Sequence, residues 1–200
     1  MSRHSHKDFP YWLVLVVLIG LYLAYRVASD DLYSQVFARI QAGIWMTIEV
    51  ALIAFSLAAV LGLGFAMASL SRFIIARQLA RFYIEVVRGV PILVLLFYIA
   101  FVGAPALVIA INFVAEPLGF EPMLTRDLSL KWRAIIALMI GYSAFLAEVF
   151  RAGIQSVDVG QIEAAEALGL NPWQRFRLVV FPQAIRTILP PLGNDFVAMV

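Results

Sequence analysis

Residues 44–70 read IWMTIEVALIAFSLAAVLGLGFAMASL and carry a single ionisable side chain, Glu49. A run of this length exceeds the ~20 apolar residues that a helix needs to cross a bilayer core of about 30 Å. Hydrocarbon offers no hydrogen-bond partners, so one isolated segment can satisfy its backbone only as a helix, whereas strands must close into a barrel. The polar/apolar alternation of barrel strands is absent here. The run is therefore read as a membrane-spanning helix. Gly62, Gly64, Ala66 and Ala68 lie along it, and small residues of this kind let a neighbouring helix approach closely.

Working outward, further apolar blocks occupy residues 11–28, 90–115 and 132–150, and another begins at 188 and runs to Val200. Four complete spans and the start of a fifth make the expected fold all-α, a polytopic transmembrane helical bundle. The last block is short and has no polar boundary, so the chain is expected to end inside a span. The composition agrees: 63% of the residues are hydrophobic and only 14% charged, where a soluble mixture has roughly a quarter charged. The net charge of +2 is spread between the apolar blocks and forms no groove for nucleic acid. With no cysteine, there is neither a thiolate nucleophile nor a Cys-based metal site. The block at 11–28 follows Arg3 and Lys7 like a signal peptide, but it is longer than a signal core and lacks a clean cleavage site, so it reads as a retained first span.

Lys and Arg near the span ends set the orientation. Arg72, Arg77, Arg81 and Arg88 follow the second block, and Arg151, Arg175, Arg177 and Arg186 follow the fourth. With Arg3 and Lys7 they place the N-terminus and both loops in the cytoplasm. Arg39, Arg126, Lys131 and Arg133 fall on the other side, among the acids Asp30, Asp31, Glu116, Glu121 and Asp127. Residues 116–131 hold two prolines and read as an external loop with short helical pieces. Gly103-Ala104-Pro105 reads as a kink or a boundary of the third span.

The cytoplasmic segment 151–187 is patterned rather than featureless. Asp158 precedes Gln161, and Asn171 precedes Pro172 and Gln174. Each pattern fits a helix start in which cap and third residue exchange bonds, with proline tolerated at the first helical position. Ile162, Ala165, Ala167 and Leu168 supply an apolar side, and Gly169 is placed to end the first helix in a left-handed conformation. A short helix, a tight bend and a second short helix follow. Their apolar faces fit a re-entry loop lying on its own bundle, docking of a soluble partner, or packing at the membrane surface.

The order of motifs then resembles the permease subunits of bacterial ABC importers, particularly the polar amino-acid uptake group. Glu163-Ala164-Ala165-Glu166-Ala167-Leu168-Gly169, followed by Val179-Val180-Phe181-Pro182, is similar to the cytoplasmic EAA signature of those subunits. Arg88-Gly89-Val90-Pro91, Ala147-Glu148-Val149-Phe150-Arg151 and Pro182-Gln183-Ala184-Ile185-Arg186 extend the likeness, which covers residues 43–200. Val90, Leu95 and Phe145 depart from the group where Thr, Gln and Tyr are common.

The resemblance implies the type I importer permease fold, with residues 1–42 an added tail, span and external loop, and 43–200 the core, incomplete at its C-terminal end. It implies an inner-membrane location and a coupling element within 151–187 that seats in a cytoplasmic ABC ATPase. Glu163 positions the first coupling helix, Ala164 and Ala165 allow close approach, Gly169 permits the bend and Pro182 closes the signature. Trp173 and Phe176 anchor the second helix, either at the partner or on the bundle. Arg88, Glu148 and Arg151 serve as helix or gate contacts or as positive-inside anchors, and Glu148 can pair with Arg151 three positions on. The implied partners are an ATPase dimer, a second permease subunit, identical or homologous, a periplasmic solute-binding protein and an amino-acid substrate. ATP and magnesium belong to the ATPase: this chain has no Walker loop, and His4 and His6 form no metal motif. The competing reading is a membrane scaffold or sensor that recruits an ATPase without transporting.

Overall fold

The computed structural model describes residues 10–200, so the orientation signals Arg3 and Lys7, and His4 and His6 with them, lie outside the described residues. Every regular element among the described residues is helical. Four helical stretches are long and apolar enough to cross a membrane: Tyr11–Ser29, Asp31–Ser69, Ile92–Leu118 and Leu130–Gln155. These support a multi-pass membrane location. The described residues up to Thr47 and those from Ile48 onward form two compact units.

The first unit contains α1 (Tyr11–Ser29), none of whose residues is buried. At its end Arg26 reaches Asp30 at 3.4 Å and lies 4.6 Å from the centre of the Tyr33 ring, tying the turn into α2 (Asp31–Ser69). Asp30 also caps the new helix by accepting from the Leu32 amide at 3.0 Å.

In the second unit the buried face of α2 is made of small residues: Ala51, Ala54, Ala58, Gly62, Ala66 and Ser69. Their three- and four-residue spacing puts them on one side of the helix. That side meets α6 (Leu130–Gln155) so closely that a Cβ on Gly62 would lie 2.8 Å from the Ser143 carbonyl oxygen. Of the small residues expected to form this surface, Gly64 points into open space and Gly62 and Ala66 do the packing. At the other end Glu49 pairs with Lys131 at 2.5 Å, which supplies the partner a carboxylate near a span boundary needs.

Residues 74–89, read above as part of a cytoplasmic loop, instead form α3 (Ile74–Gly89). Ala80, Ile84 and Val87 are buried in it, Tyr83 stacks on Phe65 at 4.0 Å, and its hydroxyl bonds Ser143 Oγ at 2.7 Å and the Ile140 carbonyl at 2.9 Å. The arginines between the apolar positions hid this helix, because they lower its mean hydropathy without disturbing its period.

The third span is continuous: α4 (Ile92–Tyr98), a π turn over Ile99–Gly103 and α5 (Ala104–Ala115). Gly103-Ala104-Pro105 is thus a local widening, not a boundary. Proline has no amide donor and its ring crowds the carbonyl four residues back. The wide turn, closed by Ala104 N–H to Ile99 O, accommodates it. Residues 116–129 form two short 3-10 turns, held by reciprocal bonds of 2.8 Å between the Asn112 amide and the Met123 backbone. Arg133 donates to the Leu128 and Thr125 carbonyls and fixes the loop to α6.

After α6 come α7 (Val159–Ala167), α8 (Pro172–Arg175), a second π turn over Phe176–Val180, and α9 (Phe181–Met199). The second short helix is therefore not separate: helical backbone runs from Pro172 into the last segment without a break. Pro190 and Pro191 sit inside α9 instead of interrupting it. α9 packs on α6 at Gly153, where an added Cβ would lie 2.2 Å from Ile188 Cγ1.

Candidate functional site

The segment between α6 and α9 is built by local rules. Asp158 caps α7 by accepting from the Gly160 amide at 2.7 Å. The exchange expected with Gln161 does not form: the Gln161 amide bonds the Asp158 backbone carbonyl at 3.1 Å. At α8 the expected reciprocal box is present, with Gln174 N–H donating to Asn171 Oδ1 at 2.9 Å and Asn171 N–H to Gln174 Oε1 at 3.0 Å. Pro172 takes the first helical position, where an amide would have had no partner.

Between the two helices Gly169 adopts φ of +76°, the left-handed conformation that suits glycine. Its amide donates to Glu166 O at 2.9 Å and that of Leu170 to Ala165 O at 3.1 Å. This pair of bonds is the Schellman arrangement, and it satisfies carbonyls that a helix end would otherwise leave open. Glu166 and Arg175 form an ion pair across the bend. The sequence reading missed this pair, because residues nine apart meet only once the bend has folded.

One side of the element is committed to the chain itself. Val157, Val180, Ala184 and Ile188 form a buried cluster, with Phe150, Ile154, Ile162 and Phe176 packed against it. Ala165 is buried as well, whereas Ala164, Ala167 and Leu168 are exposed, so only Ile162 and Ala165 of the expected apolar side turn inward. Phe176 belongs to the bundle. Trp173, stacked on it at 6.1 Å, is 66% exposed. With Arg177 and Phe181 these two rings line a cleft of about 220 Å³. Glu163 is exposed on the outer face of α7, and Pro182 is exposed beyond the second π turn.

That π turn repeats the earlier one in register. Phe181 N–H bonds Phe176 O, and the proline follows one residue later, as Pro105 follows Ala104. The Val179-Val180-Phe181-Pro182 stretch is thus a helix that widens before its proline and continues.

The remaining candidates lie apart along the chain. Glu148 and Arg151 form the expected pair on the last turns of α6, Nη2 to Oε2 at 2.5 Å, and Arg151 also donates to Gln155 at 2.7 Å. Arg88 is in no ion pair among the described residues, and its guanidinium lies 5.7 Å from the centre of the Phe145 ring. Among the described residues no group of His, Cys, Asp and Glu could hold a metal ion.

The sequence family described as "Binding-protein-dependent transport system inner membrane component" matches residues 59–200. The chain is 34% identical to the probable amino-acid ABC transporter permease protein YckA of Bacillus subtilis, over 84% of this chain and 66% of that one. It is 38% identical to the nopaline transport system permease protein NocQ of Agrobacterium fabrum, over 76% of this chain and 62% of that one. A solved amino acid ABC transporter, crystallised with histidines, matches with a TM-score of 0.63 and 35% identity, over 86% of this chain and 71% of that chain. The match covers slightly less than two thirds of each of these two curated relatives.

Proposed function

The chain belongs to the family of binding-protein-dependent transport inner membrane components, and from that premise we propose that it is the permease subunit of an ATP-driven importer of polar or charged amino acids. The observation that carries this reading is the α7–bend–α8 element. Capping bonds, a Schellman turn and an ion pair hold its shape, its inner face packs against the cluster that α6 and α9 share, and its outer face leaves Glu163, Leu168 and Trp173 exposed. A loop that only returned the chain to the membrane would not need this stiffness together with an exposed tryptophan.

The partner is a cytoplasmic ABC ATPase dimer, which binds ATP and magnesium and hydrolyses the nucleotide. Glu163 positions α7 by a charged contact, and Ala164 lets the ATPase surface come close. Ala165 and Phe176 fasten the element to its own bundle. Gly169 sets the bend, Trp173 anchors the outer face, and Pro182 with the π turn joins the element to α9. Closure of the ATPase would displace α7 and α8, and the unbroken helix from Pro172 into α9 carries that displacement among the spans. Coupling of this kind requires that two arrangements of the bundle bind the ATPase differently. The Glu148–Arg151 pair and Arg88 are suited to helix or gate contacts that differ between those arrangements.

A second permease subunit completes the pathway, and a periplasmic solute-binding protein delivers the substrate. The N-terminus and residues 151–187 face the cytoplasm, residues 1–42 form an addition, and residues 43–200 form the core. The amino-acid class is supported by the relatives named for amino-acid and nopaline transport.

The decisive experiment reconstitutes the permease with a candidate ABC ATPase and a candidate amino-acid-binding protein from the same genome. Uptake of a labelled amino acid that requires ATP and the receptor is expected. ATPase recruitment with no uptake of any amino acid that the receptor binds would favour a scaffold or sensor.

A further inference from the structure

Four ion pairs form among the described residues, and three are local. Arg26–Asp30 and Glu148–Arg151 each stand within one helical turn, and Glu166–Arg175 crosses the bend between α7 and α8. Lys131–Glu49 alone joins two spanning helices, with Nζ 2.5 Å from Oε1. Stability does not account for it. Glu49 is 54% exposed and Lys131 30%, and water screens a pair of this kind until it contributes little to folding. Lys131 is also badly placed for its own helix. The first turn of α6 carries Lys131 and Arg133 but no acid, although the partial positive charge of a helix start favours acids there. Arg133 is satisfied by the Leu128 and Thr125 carbonyls, whereas the partner of Lys131 is Glu49, on another helix.

α6 runs unbroken from this pair to the α7–α8 element. Lys131 and Gln155 each stand twelve residues from Ser143, about 18 Å to either side at about 1.5 Å per residue. At Ser143 the two helices touch backbone to backbone: a Cβ on Gly62 would lie 2.8 Å from Ser143 O and 3.1 Å from Ala147 N. Ala54 and Ala58, on the same face of α2, are too short to interlock with a neighbour. A rod that touches at mid-length and is not interlocked can tilt about that contact, and equal arms then carry Lys131 as far as Gln155, in the opposite sense.

We infer that Glu49–Lys131 is a latch: it holds α2 and α6 together at the end remote from the α7–α8 element, and it parts when the partner ATPase closes on that element. Glu49 and Lys131 are thus positioning residues for transport. The pair is weak enough to break in every cycle, and the helix end repels Lys131 once Glu49 has moved away. The inference rests on the importer reading for the ATPase, but not for the pair.

The chain has no cysteine, so Glu49→Cys combined with Lys131→Cys introduces its only two thiols. The complex is assembled in vesicles with the candidate ATPase and amino-acid-binding protein, and a short bifunctional thiol reagent is applied. Crosslinking between positions 49 and 131 should be at least ~10-fold slower with a non-hydrolysable ATP analogue and the binding protein than without nucleotide, since its rate follows the fraction of closed molecules. Equal rates in the two conditions would overturn the latch. Charge variants supply the second measurement. Glu49→Gln and Lys131→Met should each raise ATP hydrolysis in the absence of the binding protein at least ~3-fold, and exchanging the charges, Glu49→Lys with Lys131→Glu, should return it to within about 2-fold of the parent, as for two side chains that act as one unit. A pair that only supports the fold would lower the unfolding midpoint and leave that hydrolysis unraised, which would also overturn the proposal. Amino-acid uptake by the cysteine-free parent is followed in parallel. Its absence beside nucleotide-dependent crosslinking would sink the importer reading and leave the latch standing. Normal uptake beside equal crosslinking rates would sink the latch alone.

Discussion

Two glycines two positions apart in α2 show how much a single Cβ decides. Gly62 has no room for one, since it would meet the Ser143 carbonyl at 2.8 Å and Leu146 Cβ at 3.0 Å, whereas Gly64 has nothing within 4 Å. Gly62→Ala must push backbone away from backbone and should destabilise the bundle by about 1–3 kcal/mol, the usual range for overpacking. Gly64→Ala should be neutral or slightly stabilising, since alanine is the better helix former. Thermal unfolding of the two variants in detergent checks this, and equal midpoints would contradict the packing. The sequence could show that α2 carries small residues, but which of them faces α6 depends on where the helices cross, and that is a tertiary fact. At Gly169 the reverse holds. Its left-handed φ of +76° is fixed by local hydrogen bonds and was legible from a glycine placed just past an apolar helical stretch. Open space surrounds it, so Gly169→Arg meets no clash and suffers only the backbone cost, about 1–2 kcal/mol. Uptake should fall while membrane insertion persists. Gly169→Asn, a residue that tolerates the conformation, should recover part of the loss. Full uptake by the arginine variant would remove the turn from the coupling argument.

At the scale of elements, the sequence was most legible where a rule is local and least where it is not. The Asn171 box, the proline at the start of α8 and the glycine stop of α7 are short-range patterns, and each is present. α3 is hard to see in the sequence because Arg77, Arg81 and Arg88 lower its mean hydropathy, although Ala80, Ile84 and Val87 keep the helical period beneath them. The π turns before Pro105 and Pro182 were also illegible, since proline marks a disturbance without saying whether the helix stops or widens. The Glu166–Arg175 pair arises between elements and has a modest expected strength. Glu166 is largely exposed, so the pair should contribute no more than about 1 kcal/mol to stability. Its effect is better sought in stiffness. Glu166→Gln and Arg175→Gln should each raise hydrogen exchange at Leu168 to Leu170, and the double variant should exchange no faster than either single one. Additive increases would show that the two side chains act independently.

For the molecule as a whole, the two rings stacked at the start of the final helical stretch separate folding from association. Phe176 is packed into the cluster of Val157, Val180, Ala184 and Ile188, where it ties the α7–α8 element to α6 and α9. Trp173 is 66% exposed and rests on Phe176 from outside, so the isolated chain gains little by holding it there. Removing a partly buried aromatic side chain leaves a void, and Phe176→Ala should cost this chain about 2–3 kcal/mol, somewhat less than a fully buried ring. Trp173→Ala should change stability by only about 0.5 kcal/mol, as surface substitutions do. If the outer face is where the ATPase sits, the order reverses for binding: Trp173→Ala should weaken copurification of the ATPase by about ten-fold or more, since exposed tryptophans are frequent anchors of interfaces. Measured together on one preparation, the unfolding midpoint and the fraction of ATPase retained place each ring on its own axis. A Trp173→Ala chain that unfolds early, or that keeps its ATPase undiminished, would mean that this tryptophan serves the bundle or the membrane surface. The force path from the partner would then have to enter through α7 instead.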